Sequence, residues 1–279
     1  MAEGHEDSAE IQLLHPFERI YLMHAALLPP GPGLREGKQM VVSLRDITQA
    51  RLAERMRVDF VANASHELRT PLATLVGFIE TLQGSAANDA EARTRFLAIM
   101  ANEAGRMARL IDDLLSLSRI ELDKGKRPSQ RLDLRPLLGD VGNTLGMRLD
   151  KDERRIVLAI QPDLPPVLAD RDQMIQVVHN LVSNALKYGR TGTPIEVGAR
   201  VDPAEGVVRI WVADQGEGVS AEHLPRLTER FYRVDTARSR SLGGTGLGLA
   251  IVKHIVERHG GRLSIASQIG KGTTVSFTL

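Results

Sequence analysis

Two long stretches of the chain place apolar residues on a seven-residue repeat. The first falls between positions 47 and 83, at Leu68, Leu72, Leu75, Ile79 and Leu82. The second follows a turn-like segment, 84–88, and has Glu103 as its polar exception; its apolar positions are Phe96, Met100, Met107, Leu110, Leu114 and Leu117. A period of 3.5 residues buries a narrow seam of one helix against another. Because two helices bury little, we expect an antiparallel hairpin that dimerises into a four-helix bundle.

The pattern changes after a predicted linker at 122–131, which contains Gly125 and Pro128. Short β-prone runs at 156–160, 195–201, 207–213, 263–267 and 273–279 predict strands, and 171–188 and 246–259 predict helices. This half is predicted to be an α+β sandwich, with one mixed sheet and helices on one face. The expected domains are therefore 47–124, the helical part, and 130–279, the α+β part.

The first 46 residues give a weaker pattern. Residues 1–14 are expected to be a loose polar terminus, whereas 19–28 and 39–47 are apolar and β-prone. The Pro- and Gly-rich segment 29–33 separates them, which predicts a hairpin with a long loop. Two strands are marginal in water, so 1–46 is interpreted as a partial sensor-domain remnant or an N-terminal extension.

Composition narrows the class of protein. The chain has 279 residues, 42% of them hydrophobic and 4% aromatic, and a formal net charge of +1. That charge gives no global attraction to nucleic acid. The absence of cysteine excludes disulfides and thiolate metal sites. The apolar run 20–28 is too short to span a bilayer, and the N-terminus lacks the order of a signal peptide, so we expect a cytoplasmic protein with no membrane span.

The first candidate site lies in the motif 60–72, on the first predicted helix. Helical spacing puts His66 and Thr70 on one face, with Glu67 about 100° around the helix. Neutral imidazole is a good nucleophile near pH 7, and a neighbouring carboxylate can accept its proton. A lone histidine is usually an ordinary surface residue, but the surroundings of His66 set it apart.

The second motif lies late in the helix predicted at 171–188. Asn180, Asn184 and Lys187 stand at i, i+4 and i+7 and so project from one face, with Tyr188 next to them. An amide oxygen can ligate Mg²⁺ and an ammonium can bind phosphate. The alternative interpretation is the polar face of an amphipathic helix.

Two glycine-rich segments complete the set. The first, Asp214, Gly216 and Gly218, follows a predicted strand, where a carboxylate can accept an adenine amino group and glycines let the backbone approach the ring. The second runs into a helix, where backbone N–H groups form an anion site; it comprises Gly244, Thr245, Gly246, Leu247 and Gly248. Phe231 and Arg233 lie between them, in a segment expected to form a mobile lid. For Phe231, packing in the core is an equally supported interpretation.

These motifs, in this order, resemble the H, N, first glycine, F and second glycine boxes of sensor histidine kinases over residues 47–279. The resemblance is closest to the phosphate-regulon type, and 40–48 resembles the last strand of a PAS domain joined to the kinase helix. It implies a histidine phosphotransfer domain followed by a GHKL (Bergerat) ATP-binding fold.

The resemblance also implies the roles of the site residues. His66 would be phosphorylated from ATP and pass the phosphoryl group to an aspartate of a response-regulator receiver domain. The receiver would dock near Ala73, Thr74, Gly77 and Phe78, and Thr70 would assist dephosphorylation. The cofactor-binding residues would hold ATP, with Mg²⁺ on Asn184 and Asn180, in a homodimer.

Two rival functions remain open at this point. An ATPase of the gyrase, Hsp90 and MutL kind would release phosphate without forming a phosphoprotein. A non-catalytic scaffold would bind nucleotide or a partner only. The His66 motif disfavours the first, and the presence of Asn184, Asp214 and the glycines disfavours the second.

Overall fold

The computed structural model describes residues 7–14, 18–27, 40–123, 125–146, 154–235, 238–239 and 242–279. The chain divides into two compact units, Met1–Arg69 and Thr70–Leu279. A long helix, α1 (Thr48–Gln83), runs through the division. Among the described residues, no helix combines the length and apolar character needed to cross a membrane.

The first unit contains a three-stranded antiparallel sheet in the order β1-β2-β3. Its strands are β1 (Asp7–Leu13), β2 (Arg19–Leu27) and β3 (Met40–Asp46). The pairing of β2 with β3 confirms the predicted hairpin, while its loop at 29–33 lies outside the described residues. The expectation of a loose terminus over 1–14 was wrong for Asp7–Leu13, because this segment pairs along its whole length with β2.

The two predicted helices form as a hairpin. The second, α2 (Ala90–Leu122), begins at Asp89, whose carboxylate accepts a hydrogen bond from the Ala92 N–H at 2.9 Å. An acceptor at this position satisfies one of the unpaired N–H groups of the first helical turn. The rings of Phe78 on α1 and Phe96 on α2 lie 4.9 Å apart, so the two helices meet across the turn.

Much of the apolar seam of this hairpin is exposed in the single chain. Leu72 and Ile79 on α1 are 52% and 42% exposed, and Leu115 on α2 is 53% exposed. Other positions on α2 are buried, including Leu110 and Leu117, and α2 packs against the last helix of the α+β part. The seam is therefore divided between a covered stretch and an uncovered one.

The α+β part is a five-stranded mixed sheet in the order β5-β7-β8-β10-β9, in which only β5 and β7 are parallel. Its strands are β5 (Ile156–Ile160), β7 (Ile195–Val201), β8 (Val208–Asp214), β9 (Leu263–Gln268) and β10 (Gly272–Thr278). Its helices are α3 (Leu134–Gly146), α4 (Arg171–Tyr188) and α5 (Gly248–Arg258). The predicted strands and the helices α4 and α5 are thus confirmed, whereas α3 was not predicted.

The core lies between the helices and the sheet. Its fully buried side chains are almost all aliphatic, as the low aromatic content requires; they include Val177, Ile195, Ile210, Ile251, Ile255 and Phe277. Alternation along β8 buries Val208, Ile210 and Val212 on one face. Asp214 is the next residue on the same face, at the carboxyl end of the strand.

The linker is shorter than predicted. Leu122 belongs to α2, and β4 (Arg131–Leu132) pairs with β6 (Val167–Leu168). The Ala169 N–H also donates to the Gln130 carbonyl at 2.9 Å. These backbone bonds attach residues 130–132 to the α+β part, so the predicted linker at 122–131 contracts to the residues between Asp123 and Gln130.

Candidate functional site

A cavity of about 460 Å³ opens in the α+β part, between α4, β8 and the segment that precedes α5. Most of the residues predicted to bind a nucleotide line it: Asn180, Asn184, Lys187, Tyr188, Asp214, Gly218, Arg233, Gly244, Thr245, Gly246 and Gly248. Gly216, Phe231 and Leu247 are not among the lining residues. The volume lies in the range of pockets that hold small-molecule ligands.

The polar row on α4 faces this cavity. Asp170 caps the helix by accepting the Gln173 N–H at 3.1 Å, and buried Val178 and Val182 hold the opposite side against the core. The Asn180 Nδ2 atom is buried without a hydrogen-bond partner among the described residues. A carboxamide left in this state has capacity for a ligand, because burying an unpaired polar group is costly.

Asp214 ends β8 with one carboxylate oxygen already engaged. Its Oδ1 accepts the Gly216 N–H at 2.8 Å, and it pairs with Thr273 across the sheet. Burial raises the pKa of the Asp214 carboxyl, while the N–H groups of Gly216 and Thr273 lower it. A Cβ on Gly216 would lie 2.1 Å from the Tyr188 carbonyl oxygen, so glycine is required where this turn meets the end of α4.

The segment that is expected to form a lid is described at 231–235, 238–239 and 242–245. Two hydrogen bonds to backbone carbonyls join its beginning to its end. The Phe231 N–H donates to the Gly246 carbonyl at 2.8 Å, and the Arg233 guanidinium donates to the Thr245 carbonyl at 2.8 Å. Phe231 has φ +64°, the only positive value among described non-glycine residues. Phe231 therefore shapes the entry to the lid through its backbone, which explains its absence from the cavity wall.

Inside the lid, Ser239 is buried and connects the segment to α4. The Tyr188 hydroxyl donates to the Ser239 hydroxyl at 3.2 Å, and the Gly244 N–H donates to the Ser239 carbonyl at 2.8 Å. Arg238 forms an ion pair with Glu217 on the turn after β8. In this arrangement Tyr188, predicted to bind phosphate, bonds to the lid.

The sequence did not indicate the contribution of α2 to this cavity. Arg109, Asp112 and Asp113 line it, and the Thr245 hydroxyl donates to Asp113 Oδ2 at 2.7 Å. Burial raises the pKa of the Asp113 carboxyl, opposed by this hydrogen bond and by the charge of Lys187. The repeat on α2 predicted which residues face other helices, but no local signal identifies a carboxylate that meets a loop 132 positions away.

Apolar residues form the remaining wall of the cavity. They come from β8, the following turn, α5 and the two last strands: Val212, Val219, Leu227, Leu249, Ile265 and Val275. An apolar lining beside the Asp214 carboxylate suits a heteroaromatic base that carries an amino group. Phosphates would then extend toward Lys187 and the glycine-rich segment at the N-terminus of α5.

The predicted phosphoacceptor motif lies on α1. His66 is exposed and Glu67 is half-buried, as expected for neighbouring positions about 100° apart on a helix. The Thr70 carbonyl accepts a hydrogen bond from the Thr74 hydroxyl at 3.1 Å. The His66 imidazole is thus exposed on the surface of α1, where a nucleophile can be reached.

Two family models match the chain. The His Kinase A (phospho-acceptor) domain matches residues 56–123, and the histidine kinase-, DNA gyrase B- and HSP90-like ATPase matches residues 169–279. Together they cover more than half of the chain. The first contains His66, and the second contains the residues of α4, β8 and the glycine-rich segment that line the cavity.

The sensor protein kinase WalK of Staphylococcus aureus is 38% identical over 243 residues, which is 86% of this chain and 57% of that protein. For the same kinase of strain JH9 the identity is also 38%, over 39% of its length. The chain therefore spans about half, or less, of the curated relatives that it matches.

Solved structures agree with this likeness. Acinetobacter baumannii histidine kinase AdeS is 25% identical with a TM-score of 0.60, over 77% of this chain and 96% of that one. Full-length ShkA in complex with AMPPNP is 28% identical with a TM-score of 0.58, over 79% and 45%. Histidine kinase ThkA in complex with response regulator TrrA is 19% identical with a TM-score of 0.64, over 98% and 78%, which shows the fold. A helical hairpin carrying a phosphoacceptor motif, followed by an ATPase domain of this type, identifies the chain as a member of the sensor histidine kinases.

Proposed function

We propose that this chain phosphorylates His66 from ATP and transfers the phosphoryl group to an aspartate of a response-regulator receiver domain. The observation that carries the proposal is the cavity in the α+β part, around which the predicted nucleotide-binding motifs of α4, β8 and the glycine-rich segment come together. The kinases WalK and AdeS, and the AMPPNP complex of ShkA, support the assignment.

The cavity suits a nucleoside triphosphate. In the proposed mode the Asp214 carboxylate accepts the adenine amino group, and Gly216 and Gly218 keep the turn close to the ring. Lys187 and the N–H groups of 244–248 bind the phosphates, with Tyr188, Phe231, Arg233 and Leu247 shaping the lid and its base. The buried, unpartnered amide of Asn180 supports a ligand at this position.

Mg²⁺ is proposed as the metal, held by Asn184 with Asn180. Both amides line the cavity one helical turn apart, and amide oxygens are ligands that Mg²⁺ accepts alongside substrate phosphates. The metal supplies neutralisation of phosphate charge when bound. Among the described residues, no group of three or more His, Cys, Asp or Glu is placed to hold a metal ion.

The proposed chemistry at His66 needs one proton acceptor. One imidazole nitrogen attacks the γ-phosphorus, the bond to the bridging oxygen breaks, and ADP leaves with that oxygen. Glu67 accepts the proton from the other ring nitrogen. The phosphoryl group then moves to the receiver aspartate, and His66 returns to its neutral form.

The partners are proposed on two grounds. A homodimer through 47–124 would cover the exposed part of the α1–α2 seam. The structure of ThkA in complex with response regulator TrrA supports a receiver as partner. Docking near Ala73, Thr74, Gly77 and Phe78 remains the proposed surface. Thr70, one turn after His66, is proposed to orient a hydrolytic water that removes phosphate from the regulator.

We also propose the domain limits 1–46, 47–124 and 130–279. The three-stranded sheet of the first unit supports a sensor-domain remnant in 1–46. The phosphate-regulon subtype rests on the motifs at 60–72 and 170–188.

Autophosphorylation can be tested with radiolabelled ATP. The wild-type chain should acquire a label that is lost in acid and retained in alkali, as for phosphohistidine. His66→Gln should acquire no label yet keep ATP binding, measured by calorimetry, because nucleophile and nucleotide site lie on different domains. His24→Gln, a second exposed histidine, is the matched control and should label normally. Labelling of His66→Gln at the wild-type rate would refute the assignment.

A further inference from the structure

The hydrogen bond between Asp113 and Thr245 joins a helix outside the ATP-binding fold to the glycine-rich segment inside it. Asp113 lies in the C-terminal half of α2, and Thr245 precedes α5. The Thr245 hydroxyl donates to Asp113 Oδ2 at 2.7 Å. A carboxylate oxygen therefore contacts a side chain of the same segment whose N–H groups are proposed to bind phosphate.

The charge around Asp113 matches this position. Burial lowers the pKa of the Lys187 ammonium, as does the nearby charge of Arg109, whereas the Asp113 carboxylate raises it. The charges of Lys187 and Arg109 in turn lower the pKa of the Asp113 carboxyl. The carboxylate is thus a counter-charge for the cavity's ammonium group, the role proposed above for nucleotide phosphates.

Other contacts hold α2 in this place. Ser116 and Gln176 on α4 are linked by hydrogen bonds of 2.7 and 3.0 Å, and Glu121 forms an ion pair with Arg230 at the base of the lid. Leu117, on the same side of α2, is fully buried. Docking of α2 therefore delivers the carboxylate to the cavity.

We propose that Asp113 is an internal substitute for a nucleotide phosphate, so that docking of α2 and binding of a nucleoside polyphosphate exclude one another. The proposal rests on the proposed nucleotide site. A phosphate placed at Thr245 and Lys187 would meet the carboxylate as a like charge in a partly buried cavity, where repulsion is weakly screened. Binding would therefore displace Asp113 and loosen α2 from the ATP-binding domain, freeing that domain to move toward the phosphoacceptor helix.

The first test compares ligands that differ in phosphate number. Adenosine, ADP and AMPPNP are titrated by calorimetry into the full chain, as wild type and as Asp113→Asn. Asparagine keeps the size of the side chain and an oxygen that accepts from Thr245, but it removes the charge. We expect Asp113→Asn to bind AMPPNP about 10-fold more tightly, a value within the usual range of coupling between sites, with adenosine unchanged.

Asp140→Asn is the matched control. It makes the same charge change at an exposed position on α3, outside the cavity lining, and it should leave AMPPNP affinity unchanged. An equal gain for adenosine and AMPPNP in Asp113→Asn, an equal gain in Asp140→Asn, or no gain would overturn the proposal. A wild-type chain that binds none of the three ligands would instead contradict the proposed function.

The second test follows α2 directly. Because the chain has no cysteine, Ser118→Cys and Ser264→Cys, at exposed positions on α2 and β9, can carry spin labels. AMPPNP should lengthen the label separation in pulsed electron resonance, adenosine should leave it unchanged, and Asp113→Asn should populate the longer separation without ligand. A separation that stays the same with AMPPNP would show that α2 remains docked and would refute the mutual exclusion.

Discussion

Asn180 and Asn184 present two carboxamides to the cavity from successive turns of α4. A carboxamide offers an oxygen to a metal and an N–H donor to a phosphate, which an acidic side chain cannot do. In the proposed site, asparagine would supply both functions at one position, although carboxylates also bind Mg²⁺ well.

Asn184→Asp should reduce autophosphorylation by at least about 10-fold, corresponding to roughly 1.4 kcal/mol of barrier. The change removes the N–H donor and adds negative charge beside the phosphates. The magnesium dependence of the residual rate should also change, as measured by titration with radiolabelled ATP. Asn143→Asp, at an exposed position on α3, makes the same change away from the cavity and should be neutral. A wild-type magnesium curve for Asn184→Asp would contradict the metal role.

His259 is fixed in its neutral form between two helices. Its Nδ1–H donates to the Ile255 carbonyl at 2.8 Å, and its Nε2 accepts the Asp170 N–H at 3.1 Å. A second proton, on Nε2, would remove this acceptor and face the Asp170 N–H with another donor. Burial is the main cause that lowers the pKa of His259, and the charge of Arg258 acts in the same direction.

We therefore expect the stability of the ATP-binding domain to fall as the pH drops below about 6.5, the ordinary histidine value. Below it the unfolded chain binds a proton that folded His259 resists, so protonation favours unfolding until the folded pKa is reached. Urea unfolding followed by Trp211, the only tryptophan, should lose more stability between pH 7.5 and 5.5 in wild type than in His259→Gln. His24→Gln should retain the wild-type loss; an equal loss in all three proteins would exclude His259 as the cause.

At the scale of elements, the base of the proposed lid is a contact between two backbone segments. The base closes where Phe231 bonds to Gly246, which has φ +76° and whose absent Cβ would lie 2.9 Å from the Phe231 Cα. Any side chain at Gly246 would separate the backbone segments that contain Phe231 and Gly246.

Gly246→Ala should weaken ATP binding by roughly 10-fold, since a left-handed alanine costs about 1–2 kcal/mol and the close contact adds to that cost. Calorimetry with AMPPNP measures the loss. Gly139→Ala on α3 is the control: it has open space around it, and alanine should stabilise that helix by about 0.5–1 kcal/mol. Unchanged AMPPNP affinity in Gly246→Ala would show that the base of the lid tolerates separation.

The elements that sequence reasoning missed share a physical cause. Glycines at 139, 142 and 146 lower the helix propensity of α3, yet its buried leucines pack on β5 and α4. Strand β1 is polar, and it forms because its backbone pairs with the edge of β2 along its whole length. In the same way Asp113 reached the cavity through tertiary packing of α2, whereas the motifs on α4 and β8 were predicted because their spacing within one element already sets their direction.

At the scale of the whole molecule, the exposed seam of α1 and α2 needs a partner. Leaving apolar surface in water costs about 25 cal/mol per Å², and Leu72, Ile79 and Leu115 are each more than 40% exposed. The repeat predicted Leu72 and Ile79 to be interior, and a second copy of the hairpin would make them so.

The chain should therefore sediment as a dimer at micromolar concentration, and Ile79→Glu should shift it toward monomer by placing a charge in the seam. Ile269→Glu is the matched control, since Ile269 is 69% exposed on the turn between β9 and β10. It should remain a dimer. A wild-type protein that sediments only as a monomer would contradict the proposed bundle.

The backbone pairing of β4 with β6 sets the length of the tether between α2 and the ATP-binding domain. Only the residues between Asp123 and Gln130 connect the end of α2 to the ATP-binding domain, and a stretch of that size reaches at most about 20–25 Å when fully extended. Once α2 is released, the nucleotide would remain at an effective concentration on the order of millimolar around that helix end. Its encounters with the helical hairpin would then be set by the tether and independent of how much protein the cell contains.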